Sequence, residues 1–175
     1  MTDHPEDRAF PAALTAIAAV EFPYGEDESN IDYEPHDAFL SAEDTTDWIR
    51  SWTGNDELDG DRFRVFGQDG TGGYAAFWMV REGRPVEEQP VVFLGSEGAT
   101  GPVAPDLASF LWLLAGGLGP MEVVEYGAHE SEPNRELTAL AERFAPQARR
   151  SAIAVHAAAV TEFPDFEDVI QKLCR

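Results

Sequence analysis

The chain has 175 residues, 43% of them hydrophobic and 11% aromatic, with 33 acidic against 12 basic side chains and a formal charge of −21. That much apolar material builds a real core and excludes a globally disordered chain, and the length suits one domain with an appended helical element. The charge opposes nucleic acid and anionic membrane surfaces and favours a basic partner.

The acidity is uneven. Residues 1–61 hold 17 acids and two bases, Arg8 and Arg50, for a net −15, whereas residues 62–175 hold 16 acids and 10 bases, for a net −6. Cys174 is the single cysteine, so no intrachain disulfide forms, and one near-terminal thiol is compatible with a reducing compartment. The first seven residues, Met1 to Asp7, are acidic and lack a charged-then-apolar leader, and no apolar run reaches the length of a membrane span. The expectation is a cytoplasmic protein.

In chain order, residues 1–7 are expected to fray, and Phe10 to Val20 reads as a short helix with Leu14 and Ile17 on its buried side and Pro11 in its first turn. Phe22-Pro23-Tyr24-Gly25 breaks it. Residues 26–30 form an acidic loop, and Ile31-Asp32-Tyr33 is a candidate short edge strand. Within Asp37–Trp52 a helix is expected, with Ser41 and Asp44 as a variant of the capping box and Gly54 as its stop. Trp48, Ile49 and Trp52 share one apolar face of it. Two tryptophans one turn apart suit either a binding hot spot or packing on the sheet, and paired aromatics at helical spacing favour packing.

Asn55-Asp56-Glu57-Leu58-Asp59-Gly60-Asp61 places oxygen ligands at alternate positions, as a calcium loop begins. Counted from Asn55, the twelfth position is Phe66, where a bidentate Glu is required, so the reading is an acidic connecting loop. Arg62 to Phe66 alternates charged and apolar residues as a half-buried strand does. Gly67, Asp69, Gly70, Gly72 and Gly73 then form a turn, and Tyr74 to Val80 is a second strand. This is not a phosphate cradle. The glycines lead into a strand rather than a helix, and the chain's one lysine is Lys172. The expected role of Gly70, Gly72 and Gly73 is to supply positive φ in a hairpin or bulge.

Glu82-Gly83-Arg84-Pro85 turns again, Pro90 to Leu94 is a third strand and residues 95–101 a loop. Pro102 to Asp106 leads into a helix from Leu107 to Ala115, whose Leu107, Phe110, Leu111 and Leu114 form a core stripe. Trp112 and Leu113 lie off that stripe, so the helix is expected to be covered on two sides. Met121 to Tyr126 is a candidate short strand. Ser131 to Ala145 is a helix with the stripe Leu137, Leu140, Ala141 and Phe144. Residues 147–160 are alanine-rich and ambiguous, and a last helix from Asp165 carries Phe166, Val169, Ile170 and Leu173. Two such stripes imply that the segment docks.

No catalytic, cofactor or metal set emerges. His4, His36, His129 and His156 are scattered, none in zinc spacing with Cys174. Gly95-Ser96-Glu97-Gly98 lacks the residue a nucleophile elbow needs between Gly and Ser.

The stretch Phe66 to Tyr74, the strand through Trp78, Pro90 to Gly98, and Val103 to Leu111 with the run Ser109-Phe110-Leu111-Trp112-Leu113 resemble the SUKH superfamily, which includes fungal cell-wall-synthesis regulators and bacterial immunity proteins. The likeness covers about a third of the chain and its motifs are short. The N-terminal third departs from the family pattern, with only Phe22-Pro23-Tyr24 and Phe39-Leu40 faintly like its Leu-Pro pair and leucine-rich helix. The resemblance implies an α+β fold, with a twisted, mainly antiparallel sheet flanked by helices over residues 1–119. Residues 120–175 then form a mainly helical extension docked on the same domain.

It also implies a non-enzymatic protein without cofactor or metal, many bacterial relatives of which neutralise a toxin domain, often a nuclease. The expected partner is a basic toxin domain, blocked by steric and electrostatic occlusion, with the protein a monomer or weak homodimer. Candidate contacts are Glu43, Asp44, Asp47, Asp56, Glu57, Asp59 and Asp61, with Trp48 and Trp52 where exposed. Competing readings are a regulatory or scaffolding protein of the same fold, and a small-molecule-binding or enzymatic domain with the glycine turn lining a pocket.

Overall fold

The run Val91-Val92-Phe93-Leu94 is buried along its whole length, and the architecture follows from what must cover it on both sides. A computed structural model describes residues 8–22 and 31–175; the expectations for residues 1–7 and 23–30 lie outside the described residues. Among the described residues five strands form one sheet in the order β1-β2-β3-β4-β5, every pairing antiparallel: β1 Glu34–Pro35, β2 Phe63–Gln68, β3 Tyr74–Trp78, β4 Val91–Leu94 and β5 Thr100–Ala104. Seven α-helices among the described residues accompany them: α1 Ala12–Ala18, α2 Ala42–Thr53, α3 Leu107–Ala115, α4 Pro120–Tyr126, α5 Arg135–Phe144, α6 Ala152–Glu162 and α7 Phe166–Leu173. The chain is therefore an α+β protein with a helical C-terminal region.

Successive strand residues point to opposite faces, and both faces are apolar. One face, with Phe66, Ala75, Phe77, Val91, Phe93 and Val103, meets residues of α1, α3, α4, α5 and α6 in the larger buried cluster. The other, with Phe63, Val65, Ala76, Trp78, Val92 and Leu94, meets Ile49 of α2 and Phe166 and Ile170 of α7. α6 runs along β5 and against α3, so the chain crosses the β5 edge between α6 and α7 and closes the second face from behind. Leu137, Ala141 and Val155 of the C-terminal helices lie in the same cluster as the strands.

Several elements differ from the sequence reading, each for a local reason. Met121 to Tyr126 is helical: Pro120 occupies the first helical position, where its missing N–H costs nothing. Residues 100–104 form a strand that Gly101 and Pro102 disguise as loop, since an outermost strand tolerates proline. The short edge strand lies at Glu34–Pro35 rather than at Ile31–Tyr33. The ambiguous alanine-rich stretch is α6, started by Ser151, whose Oγ accepts from the Ala154 amide at 3.1 Å. Arg64 is not on a wetted strand face; it is buried, and its Nη1 donates to the Asp61 carbonyl at 2.7 Å.

The β2–β3 turn is built on one carboxylate. Asp69 is buried, and its Oδ1 accepts from the Thr71 amide at 3.0 Å, the Thr71 hydroxyl at 2.9 Å and the Gly73 amide at 2.8 Å, while Oδ2 lies 3.0 Å from the same hydroxyl. Gly72 has φ +91°, whereas Gly70 and Gly73 keep negative or extended φ. Gly67 belongs to β2 rather than to the turn: it pairs with Ala75, just past a register shift. A Cβ there would stand 2.4 Å from the Tyr33 ring, so this glycine lets the edge segment close over the strand. Asp69→Ala removes the acceptor for the buried Gly73 amide and for the part-buried Thr71 amide, and urea denaturation is expected to show a loss of about 2–4 kcal/mol. A loss within about 0.5 kcal/mol of zero would contradict this account of the turn.

Candidate protein-binding face

α2 carries most of the candidate residues. Ser41 caps it, its Oγ accepting from the Asp44 amide at 3.0 Å, and Glu43 and Asp44 complement the positive end of the helix dipole. Gly54, at φ 68°, ends it. Its buried side, Thr45, Ile49 and Thr53, faces the sheet, and Glu43, Asp44 and Asp47 are exposed.

Trp48 and Trp52 lie between these extremes. Their rings stack at 5.2 Å with 15° between planes, Trp48 meets Tyr74 of β3 at 4.8 Å, and Trp52 Nε1 donates to the Gly95 carbonyl at 2.9 Å. Both are half-buried and packed on the smaller cluster. Packing on the sheet is therefore their main contact, and both rings keep partial exposure.

The acidic loop after α2 is folded back on it. Arg50 Nε donates to the Leu58 carbonyl at 2.7 Å, the Gly60 amide to Thr46 Oγ1 at 2.9 Å, and Asn55 Oδ1 accepts from the Glu57 amide at 3.1 Å. These bonds hold Asp56, Glu57 and Asp59 outward, while Asp61 is half-buried. Arg50 is the one base in residues 31–61, against ten acids. The ion pairs among the described residues are Arg81–Glu162, Arg84–Glu88 and Arg149–Glu142, and none uses those acids. No group of three or more His, Cys, Asp or Glu side chains suited to a metal occurs among the described residues.

A feature absent from the sequence reading adjoins this face. An open groove of about 600 Å³ runs between α1, β1 and the start of α2, lined by Glu34, His36, Asp37, Phe39, Ser41 and Asp44 among others. Asp44 thus belongs to both the groove and the acidic helix. His36 Nε2 lies 3.2 Å from Gln68 Oε1, and Gln68 Nε2 donates to Glu34 Oε2 at 3.3 Å, which fixes the β1 wall. The spacing of Glu34, Asp37 and Asp44 carries no motif, and only the pairing of β1 with β2 brings them round one concavity. The glycine turn at 69–73 does not line it.

Behind β1, the segment Ile31–Tyr33 is pinned from two sides. The Asp32 amide donates to Glu122 Oε1 at 2.5 Å, and Asp32 Oδ1 accepts from the Gly70 amide at 2.8 Å. The second oxygen of Glu122 is buried without a hydrogen-bond partner, as is the Tyr33 hydroxyl, whose pKa burial drives up.

Comparison of the chain with protein-family models, with curated proteins and with solved structures found no match. The geometry therefore carries the functional argument. It offers an acidic surface on α2 and its loop, a groove beside it, and a braced aromatic stack.

Burial raises the Glu122 pKa first and the nearby Asp32 carboxylate raises it further, against the lowering effect of backbone hydrogen bonds from Asp32, Glu122 and Gly119. A carboxyl with a raised folded-state pKa binds protons more readily folded than unfolded, so its ionisation lowers stability as pH rises through that range. Glu122→Gln is expected to melt higher than the wild type at pH 7, and the advantage is expected to shrink as pH falls toward the ordinary glutamate range. Melting curves across that window check it; a difference that does not vary with pH would contradict the assignment.

Proposed function

We propose that this chain is a non-enzymatic binding protein of the immunity type, acting in the cytoplasm, which occludes a basic toxin domain with the surface of α2 and the loop after it. The observation that carries the reading is the ten acids against one arginine in residues 31–61, eight of them exposed and none in an ion pair among the described residues. Like charges crowded on a surface repel one another, and a cationic partner removes that cost. Nuclease toxins approach polyanions and so carry basic surfaces, which makes an acidic blocker complementary to them. The resemblance of residues 66–111 to the SUKH superfamily favours the same class. The partly exposed Trp48–Trp52 stack supplies an anchor of the kind that dominates binding energies, with the acids as its charged surround.

The test is co-expression with, and binding to, the polypeptide encoded beside this gene. Protection from its toxicity and a complex whose association slows with added salt are expected. The quadruple variant Glu43→Gln, Asp44→Asn, Asp47→Asn and Asp56→Asn is expected to lower the association rate about tenfold or more, with little change in dissociation. Absence of both binding and protection would end the proposal, whereas salt-independent binding would remove its electrostatic part. A complex with a housekeeping assembly, and no toxin beside the gene, would select a regulatory role.

A further inference from the structure

The helix α6 has an outward side that the fold leaves uncovered. Ala152, Val155 and Ala159 are buried against α3 and β5, whereas Ile153, Ala154, Ala157, Val160 and Thr161 are exposed. Ile153 and Val160, at 43% and 41%, are among the most exposed large aliphatic side chains described. Residues 151–161 contain no Asp, Glu, Lys or Arg in a chain in which these make up 26%. A helix wetted on one side normally carries charge there, and one that is apolar all round is normally covered all round. Ile153, Ala157 and Val160 stand at i, i+4 and i+7, a continuous stripe, with alanines that permit a close helix approach.

The charges at its two ends identify the occupant. Arg149 and Arg150 precede the helix; Glu162 ends it and Asp165 follows, all exposed. Glu162 is held by Arg81 at 2.5 Å and Arg149 by Glu142 at 3.2 Å, while Arg150 and Asp165 enter none of the ion pairs among the described residues. A surface basic at one end, apolar in the middle and acidic at the other is complementary to itself when turned end for end. That is the condition for a two-fold interface.

We propose that the exposed face of α6 is a homodimer interface, in which α6 packs antiparallel on α6 of a second copy about a two-fold axis near Ala157. Ile153 of each copy then packs beside Val160 of the other, and Arg150 of each faces Asp165 of the other. The face is about 16 Å long and about 10 Å wide, so the area it buries falls well short of the about 800 Å² per partner of a standard interface. The dimer is therefore weak, with Kd on the order of 10–100 µM. This inference is independent of the toxin-binding reading.

Sedimentation equilibrium of the full chain at about 0.15 M salt from about 10 to about 300 µM tests it. A monomer–dimer equilibrium is expected, weakened about tenfold or more by Val160→Asp. Ala157→Arg, at an exposed site, repeats the test should Val160→Asp fold poorly, with melting temperature as the control. Arg150→Glu alone and Asp165→Arg alone should each weaken the dimer, and an equimolar mixture of the two should restore association, because both pairs are then of opposite charge. A chain that stays monomeric throughout overturns the proposal. So does a dimer indifferent to Val160→Asp and Ala157→Arg, or a mixture that fails to restore association. A different protein seated on α6 while the chain itself stays monomeric overturns it too.

Discussion

The constraint on which the structure depends is that the middle strands of the sheet are apolar on both faces. Ala75, Ala76, Phe77, Val91, Val92, Phe93 and Leu94 leave no side for water, so a sheet of this composition is stable only between two helical layers. The segment before β2 supplies α1 to one face and α2 to the other. The segment after the sheet supplies α3 to α6 and then, past the β5 edge, α7. The chain's last residues complete the second layer: the Arg175 amide donates to the Thr53 carbonyl at 3.0 Å, and Asn55 Nδ2 to the Leu173 carbonyl at 2.8 Å. α2 and α7 thus brace one another, and the acidic loop that begins at Asn55 is anchored by the far end of the sequence.

The sequence disclosed elements whose burial is one-sided and periodic. The stripe of Leu107, Phe110, Leu111 and Leu114 located α3 at its observed bounds, and the Ser41 cap with Gly54 located α2 within a few residues. It concealed elements whose signals conflict. In β5, Gly101 and Pro102 outweigh Val103 and Ala104, and only pairing with β4 reveals the strand. In α4, the β-branched Val123 and Val124 suggest a strand, while Pro120 and the following turn impose a helix. Arg64 looked like a solvent position because its charge is legible in sequence and its carbonyl partners are not.

The candidate face was partly legible for the same reason. Acids at 43–61 are visible as a run, and all but the half-buried Asp61 are exposed, as charged side chains usually are. The groove was not legible, because Glu34, Asp37 and Asp44 converge only after β1 pairs with β2 and α2 folds back over the sheet. Nor does sequence separate a tryptophan that packs from one that binds: Trp48 and Trp52 pack on the sheet and yet keep partial exposure.

The placement of charge also bears on how copies of this chain can meet. Two bodies of charge −21 repel, and the repulsion is greatest where acids are densest. α2 lies against β2 and α6 along β5, toward opposite sides of a sheet ordered β1 to β5. Three strand spacings separate β2 from β5, about 14 Å, which exceeds the Debye length of about 8 Å at physiological salt. Self-association through α2 would press the two acidic surfaces together. Association through α6 instead turns them away from each other, where salt screens most of what remains, and leaves both acidic faces free for a basic partner. A helix with no charge before its last residue, at the far edge from the acids of α2, is where a chain this acidic can meet itself at least electrostatic cost.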